Sequence, residues 1–179
     1  MIAVFLAEGF EETEALTTVD VLRRAGLDAV TIGVGHQTVT GAHGISVLAD
    51  RNDKDWNDEE LEGVVLPGGM PGTLHLTDSD AVSRALDYAV NKGLLIGAIC
   101  AAPSILGQKG LLKGRRATCF PGFEDELEGA ELVSDPVAVD GHYITAKGMG
   151  VTIPFALAIV RAFTSPEEAV RLERSLQCR

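Results

Sequence analysis

The chain has 179 residues, 46% of them hydrophobic, and 15 Lys and Arg against 26 Asp and Glu give a formal net charge of −11. That length suits a single domain, residues 1–179, with an ample core. The acidic balance, without a Lys/Arg cluster, excludes a surface for nucleic-acid phosphates. The opening residues carry no basic leader and no long apolar stretch follows, so neither a signal peptide nor a membrane span is expected. Three Cys without framework spacing fit a reduced, cytoplasmic protein with no disulfides.

Ile2 to Ala7 is a continuous apolar run, the pattern of a strand buried on both faces, and Glu8-Gly9-Phe10 breaks it. From Glu11 the sequence turns helical, with Leu16, Val19 and Leu22 at helical spacing and Gly26 as the stop. Glu11, Glu12 and Glu14 crowd the first turns of this helix, and its dipole alone accounts for two of them. Ala29 to Val34 is the next strand, completing a βαβ unit. His36 to Gly44 reads as a polar connection and Ile45 to Ala49 as a short strand. Asp50 to Gly63 reads as an acidic, exposed excursion packed down by Trp56.

Val64-Val65-Leu66 is a third buried strand, ending in Pro67-Gly68-Gly69. A glycine pair at the carboxyl end of a strand lets backbone N–H groups approach a ligand closely, and it is also an ordinary turn signal. Asp78 or Ser79 caps a helix running to Lys92, with Gly93 as its stop.

The stretch Leu94 to Ser104, L-L-I-G-A-I-C-A-A-P-S, organises the chain. An uncharged apolar strand passes into a helix start with Pro103 near a first-turn position, where a missing N–H costs nothing. Cys100 lies between, and its small neighbours Ala101 and Ala102 permit a sharp turn that pushes one side chain out over the sheet edge. Unpaired N–H groups and the positive end of the helix dipole favour thiolate there. Cys100 is therefore expected to be the one thiol ionised at neutral pH; the alternative is a small core residue. Cys119 reads as an ordinary strand residue and Cys178 as an incidental thiol on the terminal helix. Neither makes a CxxC with Cys100, which argues against a dithiol cycle.

The helix after Cys100 ends near Gly110, and Ala117 to Phe120 is a further short strand. Glu124 to Glu131 reads as a solvated surface segment. Val137-Ala138-Val139, the turn Asp140-Gly141, and His142 to Ala146 form a β-hairpin. Gly148 to Gly150 leads into an apolar helix, Pro154 to Phe163, and Ser165-Pro166-Glu167-Glu168 is a capping box opening the last helix. His36, His43 and His75 show no metal-ligand spacing with Cys or carboxylates, so no metal is expected, although His43 could border a pocket.

Alternating strands and helices imply an α/β fold, a mostly parallel sheet with helices on both faces and a small β-hairpin. In a flavodoxin-like strand order the segments Glu8 to Glu14, Gly68 to Gly72 and Cys100 to Pro103 meet beyond the carboxyl ends of the strands. A thiol, a carboxylate and backbone donors in one crevice are the parts of a nucleophilic site.

Four motifs in this order, G-F-E-E-T-E-A, V-V-L-P-G-G-M-P-G, A-I-C-A-A-P and F-A-L-A-I-V, resemble the DJ-1/ThiJ/PfpI superfamily from Ile2 to about Phe163. The resemblance implies a flavodoxin-like three-layer sandwich that forms a homodimer and needs no cofactor. It implies that Cys100 is the reactive residue, that Glu14 hydrogen-bonds its sulfur, and that Gly68, Gly69 and Ala101 supply oxyanion or substrate donors. The implied activity is that of a glyoxalase or protein deglycase acting on small aldehydes of the methylglyoxal type. Cys100 would form a hemithioacetal and Glu14 would move a proton between adjacent carbons. The alternative is an oxidative-stress sensor or redox-regulated chaperone in which Cys100 becomes a sulfinic acid; a silent structural relative is the third reading. Departures from the family pattern are Ala101, where protease-like branches carry His, and Phe120, where one branch carries a His that approaches the thiol. Gly148-Met149-Gly150-Val151 stands in place of Gly-Pro-Gly-Thr, and His142, the His downstream of the turn, starts a strand and so belongs at the far end of the sheet.

Overall fold

The computed structural model describes residues 1–178. Its elements in chain order are β1 (Ile2–Leu6), α1 (Glu12–Arg24), β2 (Ala29–Gly33), β3 (Thr38–Thr40), β4 (Ser46–Leu48), β5 (Arg51–Asn52), β6 (Gly63–Leu66), α2 (Gly72–Thr77) and α3 (Asp80–Lys92). There follow β7 (Leu95–Ile99), α4 (Pro103–Gln108), β8 (Arg116–Ala117), β9 (Glu131–Leu132), β10 (Val137–Asp140), β11 (Tyr143–Ala146), α5 (Thr152–Phe163) and α6 (Pro166–Ser175).

The apolar run of β1 is buried on both faces because its side chains alternate between two cores. Ile2, Val4 and Leu6 join Ala15, Val19 and Leu22 of α1, Phe155 and Ile159 of α5 and Leu172 of α6. Ala3 and Phe5 join Leu76 of α2, Val82 and Leu86 of α3, and Ile105 and Leu106 of α4. The result is three layers around a seven-stranded sheet of order β10-β11-β7-β6-β1-β2-β5. All its pairings are parallel except the hairpin pair β10–β11. The run β2-β1-β6-β7-β11 is the flavodoxin-like order, with its switch point between β1 and β6.

Helix ends follow the expected chemistry. Ser79 Oγ accepts from Val82 N, Gly93 closes α3 with φ +65°, and Ser165 Oγ accepts from Glu168 N at 3.2 Å. Trp56 packs its loop down, edge-on to Phe5 with ring centroids 5.6 Å apart. His142 precedes β11, whose Tyr143 pairs with Ile96 near the start of β7, so it lies at the opposite end of the strands from Cys100.

Four local readings change. Leu16 is 37% exposed and lies outside the core, whereas Ala15 and Thr18 point inward. The connection after β2 contains β3, which forms an antiparallel ribbon with β4 because Val39 is fully buried under it. Gly72–Thr77 is helical, a short element hidden by the turn-like Pro67 to Gly72 stretch. The strand expected over Ala117 to Phe120 stops at Ala117 and pairs with β9 instead of the main sheet. Beyond it, Thr118 N donates to Thr145 Oγ1 and Phe120 N to the Cys100 carbonyl, isolated bonds that take the place of a ladder. Among the described residues no helix is long and apolar enough to cross a membrane.

Phe155 fills the space over the glycine of β7, where a Cβ on Gly97 would lie 3.1 Å from its ring. Phe155→Ala should therefore cost about 3–5 kcal/mol. Urea unfolding should show this as a lower midpoint with an unchanged slope.

Candidate functional site

At the switch point the loops after β1, β6 and β7 close on one another. Glu11 N donates to the Gly68 carbonyl at 2.9 Å and Gly72 N to the Gly9 carbonyl at 3.1 Å. The glycine pair is needed for this contact. A Cβ on Gly68 would lie 2.6 Å from Cys100 Cβ and 2.9 Å from Glu14 Oε2, and one on Gly69 would lie 2.6 Å from the Gly9 carbonyl oxygen. Gly69 also has φ +93°, in the region that favours glycine.

Cys100 itself has φ +64°, unusual for a residue with a side chain. Such a conformation costs on the order of 1–3 kcal/mol and persists only where its surroundings dictate it. Here Cys100 N donates to the Ala146 carbonyl at 2.9 Å, and the Cys100 carbonyl accepts from Phe120 N at 2.8 Å. The chain thus turns sharply from β7 into α4 and leaves the sulfur partly exposed at the strand end. The backbone N–H groups of Ala101 and Gly69 hydrogen-bond the sulfur and favour its charged form.

Glu14 is 1% exposed. One carboxyl oxygen, Oε2, accepts from Gly68 N at 2.9 Å. The other, Oε1, has no N–H or O–H partner among the described residues, and the carboxyl's remaining interaction is with the Cys100 thiol. Burial is the main reason its pKa rises to about 7, with the nearby Glu11 charge adding to it. The structure therefore gathers Glu14, Gly68, Gly69, Cys100 and Ala101 in one place. It also corrects the role expected of Gly68, whose N–H is spent on holding the carboxyl and is not free for an oxyanion or substrate.

Desolvation opposes the thiolate that the helix dipole is expected to create. Burial, then the Glu14 charge, pushes the Cys100 thiol up to about 12, against the pull of the Ala101 and Gly69 N–H groups. The physical reason is that α4 has only six residues and starts at Pro103, so its dipole is weak at the sulfur. Glu14 and Cys100 are coupled: the Glu14 charge raises the thiol, while the thiol's hydrogen bond works against the rise of the carboxyl.

The acidic first turn of α1 does more than answer a dipole. Glu11 is the N-cap, its Oε2 accepting from Glu14 N at 2.6 Å. Glu12, 4% exposed, accepts from His43 N at 2.7 Å and Ile45 N at 3.3 Å, and its Oε2 lies 2.9 Å from His43 Nδ1. Burial works against the Glu12 charge, but the His43 ring and these N–H groups outweigh it and hold the carboxyl below its usual range. Glu12 in turn raises the His43 pKa. Glu11, Glu12 and His43 bring ligand atoms within 4.8 Å of one another and are the group of described residues that could hold a metal. The positive end of α1 and the N–H donors already on Glu12 suit a clamp on the β3–β4 turn better than a cation site. No sequence spacing signals this clamp, since its partners lie 31 residues apart.

The remaining candidates fall outside the pair. His75 Nδ1 contacts the Glu8 carbonyl at 2.7 Å. Cys119 is buried, its thiol pushed up to about 11 by burial and then by Glu124, and it lines a cavity of about 260 Å³ with Thr118 and Lys147. Cys178 is exposed. Larger cavities of about 480 and 410 Å³ open along α6 and beside α1 and α5, away from Cys100.

Residues 1–162 match the sequence model of the DJ-1/PfpI family. Protein DJ-1 homolog B of Arabidopsis thaliana is 36% identical over 177 residues, covering 97% of this chain and 40% of that protein. The chain thus spans about two fifths of the length of the Arabidopsis relatives it matches, 40% and 43%. A Caenorhabditis elegans protein named glutathione-independent glyoxalase DJR-1.2 is 34% identical over 171 residues, 94% of this chain and 91% of its own. The solved structure of oxidized Toxoplasma gondii DJ-1 superposes with a TM-score of 0.94 at 32% identity, covering 98% of this chain and 97% of that one.

The raised pKa of Glu14 fixes the sign of a pH effect on stability. Its folded value of about 7 stands above the usual 4.5, so the stability of the neutral, buried form is complete below 4.5 and is lost as pH rises through 7. Relative to Glu14→Gln, the wild type should lose about 3 kcal/mol across that window. Urea midpoints at a series of pH values give the difference directly. A difference that stays flat over the window would mean that Glu14 ionises as an ordinary carboxylate.

Proposed function

This chain belongs to the DJ-1/PfpI family, and from that footing we propose that it is a cofactor-independent, cysteine-dependent enzyme for reactive 2-oxoaldehydes of the methylglyoxal type. The observation that carries the reading is the buried Glu14 carboxyl, hydrogen-bonded to the Cys100 thiol, with one oxygen held by Gly68 and the other left without a partner. A carboxyl placed only for packing would have both oxygens satisfied.

In the proposed sequence Glu14 takes the proton of the Cys100 thiol, and the sulfur pair adds to the aldehyde carbon. The carbonyl π pair becomes an alkoxide, which takes the proton back from neutral Glu14 to give a hemithioacetal. The Ala101 and Gly69 N–H groups, which favour charge on the sulfur, stabilise the thiolate before it attacks. Glu14 then removes the hydrogen on the former aldehyde carbon and returns it to the adjacent carbonyl carbon through an enediol, leaving a thioester of the 2-hydroxy acid. Water cleaves the thioester, releasing lactate and regenerating the thiol. A pKa near 7 suits a group that must alternate between base and acid at neutral pH. The worm relative named as a glutathione-independent glyoxalase supports this class of activity.

The redox-sensor reading draws on the same pair, since neutral Glu14 could donate a hydrogen bond to a sulfinate on Cys100, and a relative's structure is described as oxidized. We further propose a homodimer formed through the exposed Leu16, Met149 and Ile153, the last two of which line the cavity beside α1 and α5. A cytoplasmic location suits its three free thiols.

With methylglyoxal as substrate, Cys100→Ala should abolish lactate formation. Glu14→Gln should lower kcat about 10²–10⁴-fold and slow hemithioacetal formation as well, since Glu14 takes the thiol proton in that step. Near-wild-type turnover by folded Glu14→Gln would leave Glu14 with a packing role alone, and oxidation of wild-type Cys100 to sulfinate without any turnover would favour the sensor. For the dimer, Leu16→Arg should shift sedimentation from the dimer mass to the monomer mass with the fold retained by circular dichroism.

A further inference from the structure

Phe120 is the residue beside the Cys100–Glu14 pair to which the proposed chemistry gives no task. Its backbone N–H is bonded to the Cys100 carbonyl at 2.8 Å, so the two residues are fixed against one another. The residue is 47% exposed, a large aromatic left partly in water next to the thiol. The direction of the ring follows from Gly148. A Cβ on Gly148 would lie 3.2 Å from Phe120 Cδ2, 3.7 Å from Cε2 and 3.8 Å from Glu14 Oε1. The ring edge and the unpartnered, buried carboxyl oxygen therefore flank the same point, which a glycine occupies. A substrate joined to the sulfur and turned toward the Glu14 side of the site brings its substituent within reach of this ring.

The charge around the pair points the same way. The ionised group bearing on Glu14 is Glu11, and the one bearing on Cys100 is Glu14 itself; no cation contributes to either. A carboxylate on the substrate would meet like charge without a counter-ion.

We propose that Phe120 is the specificity-determining residue of this site, an aromatic wall that selects uncharged 2-oxoaldehydes bearing an aryl or branched apolar substituent over methylglyoxal, and over carboxylated 2-oxoaldehydes such as 4,5-dioxopentanoate. The inference rests on the thiol-enzyme reading above. The reaction is the same internal oxidation and reduction, the aldehyde carbon rising to the acid level and the adjacent ketone falling to the alcohol, with water consumed on release. Phenylglyoxal would give mandelate as methylglyoxal gives lactate. Ring-on-ring contact with the substituent and the added apolar burial are together worth about tenfold or more in discrimination.

The experiment has two arms, one of which needs no turnover. In the first, kcat/KM is measured for phenylglyoxal, methylglyoxal and 4,5-dioxopentanoate with wild type, Phe120→Ala and Phe120→Tyr. Wild type should prefer phenylglyoxal to methylglyoxal by about tenfold, with 4,5-dioxopentanoate slowest. The preference should collapse toward one in Phe120→Ala and survive in Phe120→Tyr. In the second arm, the rate of Cys100 alkylation by phenacyl bromide is divided by that for iodoacetate, each normalised to a free thiol and mapped by mass. This ratio should be high in wild type and fall in Phe120→Ala. A preference near one in wild type, or one that Phe120→Ala leaves intact, overturns the inference even if methylglyoxal is turned over. An alkylation preference that depends on Phe120, in a protein that turns over none of the aldehydes, would uphold the aromatic wall and sink the enzymatic reading.

Discussion

A carboxyl buried at the end of a parallel sheet beside a thiol, with one oxygen taken by a backbone N–H and the other without a partner, sets the conditions for everything around it. Burying Glu14 without its bond to Gly68 N would leave both oxygens unsatisfied, a cost of several kcal/mol even for the neutral acid. With that bond, one oxygen is satisfied and the other still lacks a partner. The surrounding structure holds this arrangement in place. Glu11 caps the helix that carries Glu14, and Glu12 ties the same turn to the β3–β4 ribbon through His43 and Ile45. A charge buried as deeply as that of Glu12 is retained only because three groups answer it.

The sheet topology explains why this happens at one point. Between β1 and β6 the connecting segments leave toward opposite faces, so the loops diverge and open a crevice at their carboxyl ends. Only residues without a Cβ let the β6 loop pass between the β1 loop and Cys100, which is why the pair Gly68-Gly69 lies there. The strained turn at Cys100 is then held from two sides, by the Ala146 carbonyl at the end of β11 and by Phe120 N beyond β8. Those two bonds tie the geometry at the sulfur to the hairpin edge of the sheet and to a loop that no strand ladder supports.

The parts of this arrangement that were legible in the sequence are those set by local rules. Apolar runs gave the parallel strands, Ser79, Gly93 and Ser165 gave helix ends, and Ala-Ala-Pro after a buried strand gave the turn at Cys100. What the sequence hid was set by long-range geometry. Nothing near Glu12 announces His43, and nothing near Gly68 says that its N–H points at Glu14 rather than at a ligand. The β3 strand looked polar because its neighbours are, while a single residue, Val39, holds it to the core. Leu16 fits the helical spacing of the core yet faces outward, since α1 buries Ala15 and Thr18 on a face turned slightly away from the one that Leu16, Val19 and Leu22 mark out.

The thiol shows how a correct local rule can be outweighed. Helix N-termini do favour thiolate, but the effect fades within a turn and scales with a helix that here is six residues long. Desolvation of the sulfur and the charge of Glu14 act over the same few ångströms and oppose it. If the dipole ruled, Cys100 would be charged whatever Glu14 did, and the carboxyl would be free to ionise at its usual pH. Burial and the Glu14 charge therefore act against the pull of the Ala101 and Gly69 N–H groups, and the charge on the sulfur is set by that balance rather than by the dipole alone.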